Sequence, residues 1–154
     1  MNRPAHSPHA RAGLALLCLA MAHSGHAGTS AAACADDPPR SGTWYLVGHD
    51  SRHWRAEMVL QRQAGARYDG HMTWRAVQGS PAGGLEPFSG EYDAATCTLT
   101  LRGEPVREAT GDIASGAHYS ARVADEGRYL AYGRWWGVDV APGTWAARLR
   151  TGSD

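Results

Sequence analysis

Residues 54–61 read WRAEMVLQ, and apolar and polar side chains alternate along this stretch. Trp54, Ala56, Met58 and Leu60 share one parity, and three of the four residues between and after them are polar or charged. A period of two sends alternate side chains to opposite faces of an extended chain. The stretch therefore predicts a β-strand with one buried face.

The same alternation recurs along the rest of the chain. It is found at residues 68–76, 96–102, 118–123 and 144–150, and three more apolar segments complete the set, at residues 43–47, 88–92 and 128–136. Short breakers rich in Gly, Pro and Asp separate most of these segments, as hairpins require. Two connections are longer, at residues 77–87 and 103–116, and long loops in compact β domains often carry binding.

Eight consecutive strands, mostly linked by hairpins, predict an all-β fold. We expect an eight-stranded antiparallel up-and-down barrel, because closure of the sheet removes both exposed edges. The alternative is a two-sheet β-sandwich, in which crossing connections could use the two long loops.

The N-terminal segment has the composition of an export signal. Arg3 and Arg11 precede an apolar run at residues 13–22, and this run is too short for a bilayer, which needs about twenty apolar residues. Small residues follow, and cleavage after Ala27 is acceptable, with residues 31–33 as a second possible site. The predicted parts are a signal peptide at residues 1–27, a flexible N-terminal arm at residues 28–41 and a single barrel domain at residues 42–150.

Two cysteines remain after removal of the predicted signal peptide. Cys34 and Cys97 form an even pair in an oxidising compartment, which predicts a disulfide. The arginine-only basic residues and abundant Ala and Gly are typical of a GC-rich bacterial genome, so the expected location is the periplasm or the medium. A lipid anchor on Cys34 is the alternative, because three alanines precede it.

The charge balance argues against a nucleic-acid partner. Removal of residues 1–27 takes away Arg3 and Arg11 and no acid, so 13 arginines face 15 acidic residues. A chain with a slightly negative net charge and no basic run has no electrostatic attraction to nucleic acid or to an anionic membrane surface. We expect neither partner, and no integral membrane segment after cleavage.

The sequence predicts no catalytic residues, no metal and no cofactor. His49 and His53 are spaced closely enough to share a metal, but zinc or copper needs three or four converging ligands. Four glutamates on or near the long loops could supply a carboxylate pair for glycoside hydrolysis, namely Glu86, Glu91, Glu104 and Glu108. A small secreted hydrolase is therefore kept as an alternative function.

Two short motifs resemble those of the calycins, the lipocalins and avidins. Gly42-Thr43-Trp44-Tyr45 is similar to the G-x-W entry of the first calycin strand, and Gly90-Glu91-Tyr92-Asp93 is similar to the avidin G-x-Y-D segment. The resemblance implies an eight-stranded barrel that binds a small ligand in its mouth. Leu46, Val47 and Gly48 stand where avidins carry polar contacts to biotin, so biotin is not the expected ligand.

A third motif resembles that of the periplasmic inhibitors of C-type lysozyme. Ser115-Gly116-Ala117-His118-Tyr119 is similar to their S-G-x-x-Y motif. The resemblance implies that Ser115 and Tyr119 belong to an inhibitory loop and strand. The lysine that this family uses is absent here, and Arg128 is the nearest basic substitute.

The six tryptophans are the remaining functional signal. Trp135 and Trp136 are adjacent, so in a strand one of them must face away from the core. Trp and Arg are common at interaction hot spots. We predict an exported, non-catalytic β-barrel that binds a small amphipathic molecule or a protein partner, the alternative being an inhibitor of lysozyme-like enzymes. The predicted contact residues are Trp44, Trp74, Ser115, Tyr119, Arg134, Trp135 and Trp136.

Overall fold

The computed structural model describes residue 34 and residues 37–77, 81–111 and 113–152. The predicted signal peptide lies outside these residues, as does most of the segment between it and Asp37. The described ranges contain no helix long and apolar enough to cross a membrane.

Nine β-strands are formed by the described residues. They are β1 (Gly42–His49), β2 (His53–Arg62), β3 (Arg67–Ala76), β4 (Gly83–Asp93), β5 (Thr98–Gly103), β6 (Arg107–Thr110), β7 (His118–Ala124), β8 (Tyr129–Trp136) and β9 (Gly143–Leu149). The alternation of side chains holds in most of them, so large apolar residues point inward and polar residues outward.

Eight of the strands close into a barrel. All pairings are antiparallel, and the ring runs β1, β2, β3, β4, β5, β7, β8 and β9, with β9 returning to β1. Trp44 on β1, for example, lies opposite Met58 on β2 and Leu149 on β9. The predicted eight-stranded up-and-down barrel is thus confirmed, and the chain does not adopt the sandwich alternative.

The two long connections predicted from sequence are wrong in part, because each contains strand residues. The β4 strand begins at Gly83, five residues before the predicted start at Phe88. The short strand β6 lies within the predicted loop at residues 103–116 and pairs with the first part of β4, where β5 has ended. β6 is therefore additional to the eight strands of the barrel and lies outside the ring.

Pro87 explains why the start of β4 was hidden in the sequence. Proline is normally excluded from strand interiors because it donates no backbone hydrogen bond. The carbonyl of Pro87 accepts a hydrogen bond from the amide of Glu104 at 2.8 Å. In a strand, the nitrogen and the carbonyl of one residue point to the same side, so the nitrogen of Pro87 also faces the junction between β5 and β6. The hydrogen bonds between β4 and its neighbours are already interrupted at this junction, and the missing donor of Pro87 is tolerated there.

One end of the barrel is covered by residues 37–41 of the predicted N-terminal arm. The Tyr68 hydroxyl donates to the carbonyl of Pro39 at 2.8 Å, and the Trp44 indole donates to the carbonyl of Arg40 at 3.2 Å. Pro39 is fully buried. Residues 37–41, the last part of the predicted arm, thus pack against the barrel end, which supplies both apolar cover and hydrogen-bond donors.

The predicted disulfide is present at this closed end. Cys34 is bonded to Cys97, and their Cα atoms are 5.4 Å apart. Cys97 lies in the turn between β4 and β5, with a positive φ of 56°, and not within a strand as the alternation indicated. The bond joins Cys34 to the turn between β4 and β5.

The barrel interior differs between its two halves. The closed half is filled by Trp44 together with Tyr68 and aliphatic or methionine side chains such as Met58, Leu60 and Leu99, all at most 1% exposed. The opposite, open half carries most of the other aromatic core residues and one buried acid. That half contains the candidate site.

Candidate functional site

The site is built around a carboxylate inside the barrel. Glu86 is 2% exposed and is the charged residue among the buried side chains of the described chain. It lies on β4, where Glu86, Phe88 and Tyr92 are buried. Burial of an ionisable group without compensation is strongly unfavourable, so its hydrogen bonds decide whether the position is tolerated.

Four donors converge on the Glu86 carboxylate. Oε2 accepts hydrogen bonds from the Trp74 indole at 3.0 Å and from the Tyr119 hydroxyl at 2.5 Å. Oε1 accepts one from the backbone amide of Gly116 at 3.2 Å, and the amide of Ala117 also bonds the carboxylate. The strands β3 and β7 and the loop before β7 thereby meet at one side chain.

Burial and hydrogen bonding act in opposite directions on the pKa of Glu86. Burial is the larger effect and raises this pKa above its ordinary value, while the four donors lower it. Burial and the neighbouring charge of Glu86 raise the pKa of the Tyr119 hydroxyl well above its ordinary value. Tyr119 therefore stays protonated at neutral pH and acts as a donor.

A cavity of about 190 Å³ opens beside Glu86. The turn between β1 and β2 borders it, as do the loop at residues 113–117 and the loop at residues 139–141. These three segments lie at the open end of the barrel. The cavity is thus reached from the side opposite the N-terminal arm.

Aromatic rings form much of the cavity wall, in a connected arrangement centred on Trp74. The Trp74 ring stacks on Tyr119 with centroids 6.2 Å apart and an interplanar angle of 19°. It meets Trp54 edge to face at 6.3 Å and Trp135 edge to face at 5.8 Å. Such offset and edge-to-face contacts are favourable and hold the wall in a defined shape.

The rim of the cavity is ordered by Asp50. Its carboxylate accepts a hydrogen bond from the amide of Arg52 at 2.6 Å and from the Trp54 indole at 3.1 Å. The Arg52 guanidinium lies over the Trp54 ring, 5.7 Å from its centroid. Asp139 lines the cavity from the loop between β8 and β9.

The structure brings three of the seven predicted contact residues together. Trp74, Tyr119 and Trp135 all line the cavity, while Ser115 is exposed on the loop beside it. Trp44 does not belong to this group, because it lies in the closed half and bonds the carbonyl of Arg40.

Arg134 and Trp136 lie on the outer surface of β8. Trp135, which points inward, is 5% exposed, whereas Trp136 is 46% exposed and stacks on His118 with ring centroids 5.8 Å apart. As the alternation requires, one of the adjacent tryptophans faces outward. Exposed neighbours of the stack include Arg134 on the same strand.

Glu86 is the residue that sequence reasoning misplaced. The alternation of β4 could have indicated its inward direction. If the strand is extended back through Pro87, Glu86 lies two residues before Phe88 and therefore on the same face. Of the four loop glutamates, Glu91, Glu104 and Glu108 are exposed, whereas Glu86 is inside the barrel. Asp50 and Trp54, which order the rim, were also not predicted as site residues.

The lysozyme-inhibitor motif and the basic residue considered with it lie at opposite ends of the barrel. Ser115 lies at the open end, before the seven-residue strand β7, and Arg128 lies in the turn after it. Arg128 pairs with Asp125 and Glu126 at the closed end. A strand of this length spans about 20 Å at roughly 3.3 Å per residue, so Ser115 and Arg128 do not share one surface.

The two neighbouring histidines do not build a larger cluster. The rings of His49 and His53 are 4.7 Å apart. Within the described ranges, no group of three or more His, Cys, Asp or Glu side chains is placed to hold a metal ion.

Comparison with known proteins gives information on the fold. No protein-family model and no curated protein sequence matches the chain. Among solved structures, the barrel is similar to a de novo designed fluorescence-activating β-barrel, with a TM-score of 0.51 and 14% sequence identity. The match covers 72% of this chain and 94% of the designed one, and at this identity it shows the barrel architecture alone.

Proposed function

We propose that the protein is an exported, non-catalytic barrel that binds a small molecule in the cavity beside Glu86. The observation that carries the proposal is the cavity itself, which combines an aromatic wall with one buried carboxylate at the open end of the barrel. Ligand sites are typically concave and apolar, with a few polar groups that fix orientation. The calycin-like motifs support a ligand site at the open end of the barrel, since calycins bind ligands in the barrel mouth.

The hydrogen bonds of Glu86 support a binding role over a catalytic one. Its carboxylate already accepts from Trp74, Tyr119 and the amide of Gly116. A general acid or base must reach the proton that it transfers, and these donors hold both oxygens in place. The other three glutamates considered for hydrolysis are on the surface.

Export is supported by two observations. The apolar run at residues 13–22 has the length of a signal peptide, and the Cys34–Cys97 disulfide is of the kind that persists in oxidising compartments. Expression of the full chain and N-terminal sequencing of the released protein test this part, and cleavage after Ala27 is the expected result.

Binding is tested by titrating the purified protein with ring-sized molecules and following tryptophan fluorescence. Three of the tryptophans line the cavity, so a saturable change in emission is expected. Ala114→Trp, at the exposed edge of the cavity, should weaken binding about tenfold by narrowing the entrance. Ala64→Trp, exposed in the turn between β2 and β3 at the closed end, is the matched control and should bind normally. Equal affinities in both variants would contradict the proposed site.

A protein partner is the second candidate, favoured by the outer surface of the open end. Trp136 is half exposed and stacks on His118, and exposed aromatic side chains are frequent interface anchors. C-type lysozyme is the partner to test because of the motif at Ser115. Trp136→Ala should abolish lysozyme binding and leave ring-sized ligands unaffected if this surface is used.

A further inference from the structure

We propose that the cavity selects a small organic cation, about one aromatic ring in size, with its positive charge beside Glu86. This inference rests on the proposed small-molecule function and names the chemical class of the ligand. Three properties of the described cavity support it, namely its volume, its aromatic wall and its balance of charge.

The volume limits the ligand to a single ring or its equivalent. The cavity measures about 190 Å³, and a protein cavity of about 150 Å³ holds one benzene molecule. A ligand with one ring and a short substituent therefore fits. Larger lipids or polycyclic molecules would have to leave most of their surface in solvent.

The wall is rich in aromatic rings, which attract positive charge. The π-face of an aromatic ring is electrostatically negative, and cations bind it at centroid distances up to about 6 Å, with Trp the strongest partner. Arg52 already places its guanidinium 5.7 Å from the centroid of Trp54. A cation thus lies over one ring at the rim, and the aromatic residues Trp74, Trp135 and Tyr119 line the same cavity.

The charged groups around the cavity are mainly acidic. Asp50, Glu86 and Asp139 line it, and Arg52 is the basic side chain among the described lining residues. None of the ion pairs found in the described chain joins Glu86 to an arginine. A cationic ligand would supply a countercharge that the protein does not, whereas an anionic ligand would meet three carboxylates.

The test compares three probes of similar size. N-Methylpyridinium and toluene are close in shape and differ in charge, and benzoate carries the opposite charge. The protein, purified after expression of the full-length chain, is titrated with each probe by calorimetry at pH 8. We expect N-methylpyridinium to bind at least tenfold more tightly than toluene, and benzoate to show no measurable binding.

Variants separate the contribution of charge from that of shape. Glu86→Gln should remove most of the tenfold preference, and Asp139→Asn at the rim should reduce the preference about twofold. Asp139→Asn keeps the test informative if Glu86→Gln fails to fold, as does the comparison of the probes on the unaltered protein.

The outcomes distinguish this inference from the function on which it rests. Toluene binding that equals or exceeds N-methylpyridinium binding, and that is weakened by Ala114→Trp, would overturn the cation preference and leave a small-molecule barrel. Failure of every ring-sized probe to bind would overturn both. Benzoate as the tightest ligand would also overturn the inference, and would point to Arg52 as the dominant charge.

Discussion

The hydroxyl of Tyr119 donates a 2.5 Å hydrogen bond to Oε2 of Glu86, linking two strands that are not neighbours in the barrel. Tyr119 is on β7 and Glu86 on β4, with β5 between them. The bond joins two residues that line the cavity. This hydrogen bond also stabilises the buried Glu86 carboxylate, so removal of the Tyr119 hydroxyl should be measurable as a loss of stability.

Tyr119→Phe removes this donor while keeping the ring that stacks on Trp74. Hydrogen bonds to charged groups contribute about 1.5–3 kcal/mol, so we expect the free energy of unfolding to fall by about that amount in urea titrations. Tyr132→Phe is the matched control, because Tyr132 is 86% exposed, and surface changes of this kind stay within about 0.5 kcal/mol. Equal effects of the two variants would contradict the role assigned to Tyr119.

The pKa of Glu86 predicts how stability changes with pH. Because burial raises this pKa above 4.5 in the folded protein, the folded state binds more protons than the unfolded state between the two pKa values. The contribution of Glu86 to stability is therefore most favourable below about pH 4.5 and declines as pH rises through the folded pKa.

Glu86→Gln removes this titration and serves as the reference. The remaining titratable groups, including Asp93 with its lowered pKa and the cavity residues Asp50, Asp139 and Tyr119, are retained in the variant. The free energy of unfolding of both proteins is measured by urea titration at several pH values. As pH rises, the value for the unaltered protein should fall relative to the value for Glu86→Gln. A constant difference from pH 4 to pH 8 would show that the pKa of Glu86 is not raised.

Most strands could be predicted because apolar and polar residues alternate in the sequence wherever one face of a strand is buried. The cavity residues could be predicted only in part. β6 has four exposed residues and no buried face, so it carries no such pattern. Gly83, Gly84 and Pro87 obscured the first half of β4 and, with it, the inward direction of Glu86.

The direction of Trp135 depends on a bulge that the sequence does not mark. The register of β8 shifts between Leu130 and Gly133, and Tyr132 has a φ of 53°. Strict alternation from Leu130 would put Trp136 inside. The extra residue reverses the parity, so Trp135 enters the cavity wall and Trp136 faces outward.

Gly103 is the position where the smallest possible side chain should disturb Glu86. A Cβ atom added there would overlap Oε1 of Glu86, and forced overlap in a packed interior is destabilising by about 1–3 kcal/mol. We expect Gly103→Ala to lower the free energy of unfolding by that amount and to weaken ligand binding. Gly152→Ala, where a Cβ would meet no atom within 4 Å, is the control. Unchanged stability of Gly103→Ala would mean that the carboxylate moves freely.

The disulfide should matter for stability and leave the cavity intact. Cys34 and Cys97 are 63 positions apart, and a cross-link closing a loop of this size stabilises by about 4 kcal/mol in the chain-entropy model. The double variant Cys34→Ser/Cys97→Ser should unfold at clearly lower guanidinium concentration. Since the bond lies at the closed end, affinity for ring-sized ligands should stay within about twofold. A large loss of affinity in the folded double variant would show that the two ends are coupled.

Trp44 and Trp74 provide the sharpest test of where the ligand binds. Trp44 donates to the carbonyl of Arg40 under the N-terminal arm, whereas Trp74 donates to Glu86 beside the cavity. Both are core tryptophans with a bonded indole, so Trp44→Phe and Trp74→Phe should each lower stability. Only Trp74→Phe removes a group from the ligand wall, and a loss of about 1.4 kcal/mol there corresponds to a tenfold weaker affinity. Calorimetric titration of both variants should therefore show normal binding for Trp44→Phe and about tenfold weaker binding for Trp74→Phe. The reverse order would place the ligand in the closed half, where the calycin-like G-x-W motif begins.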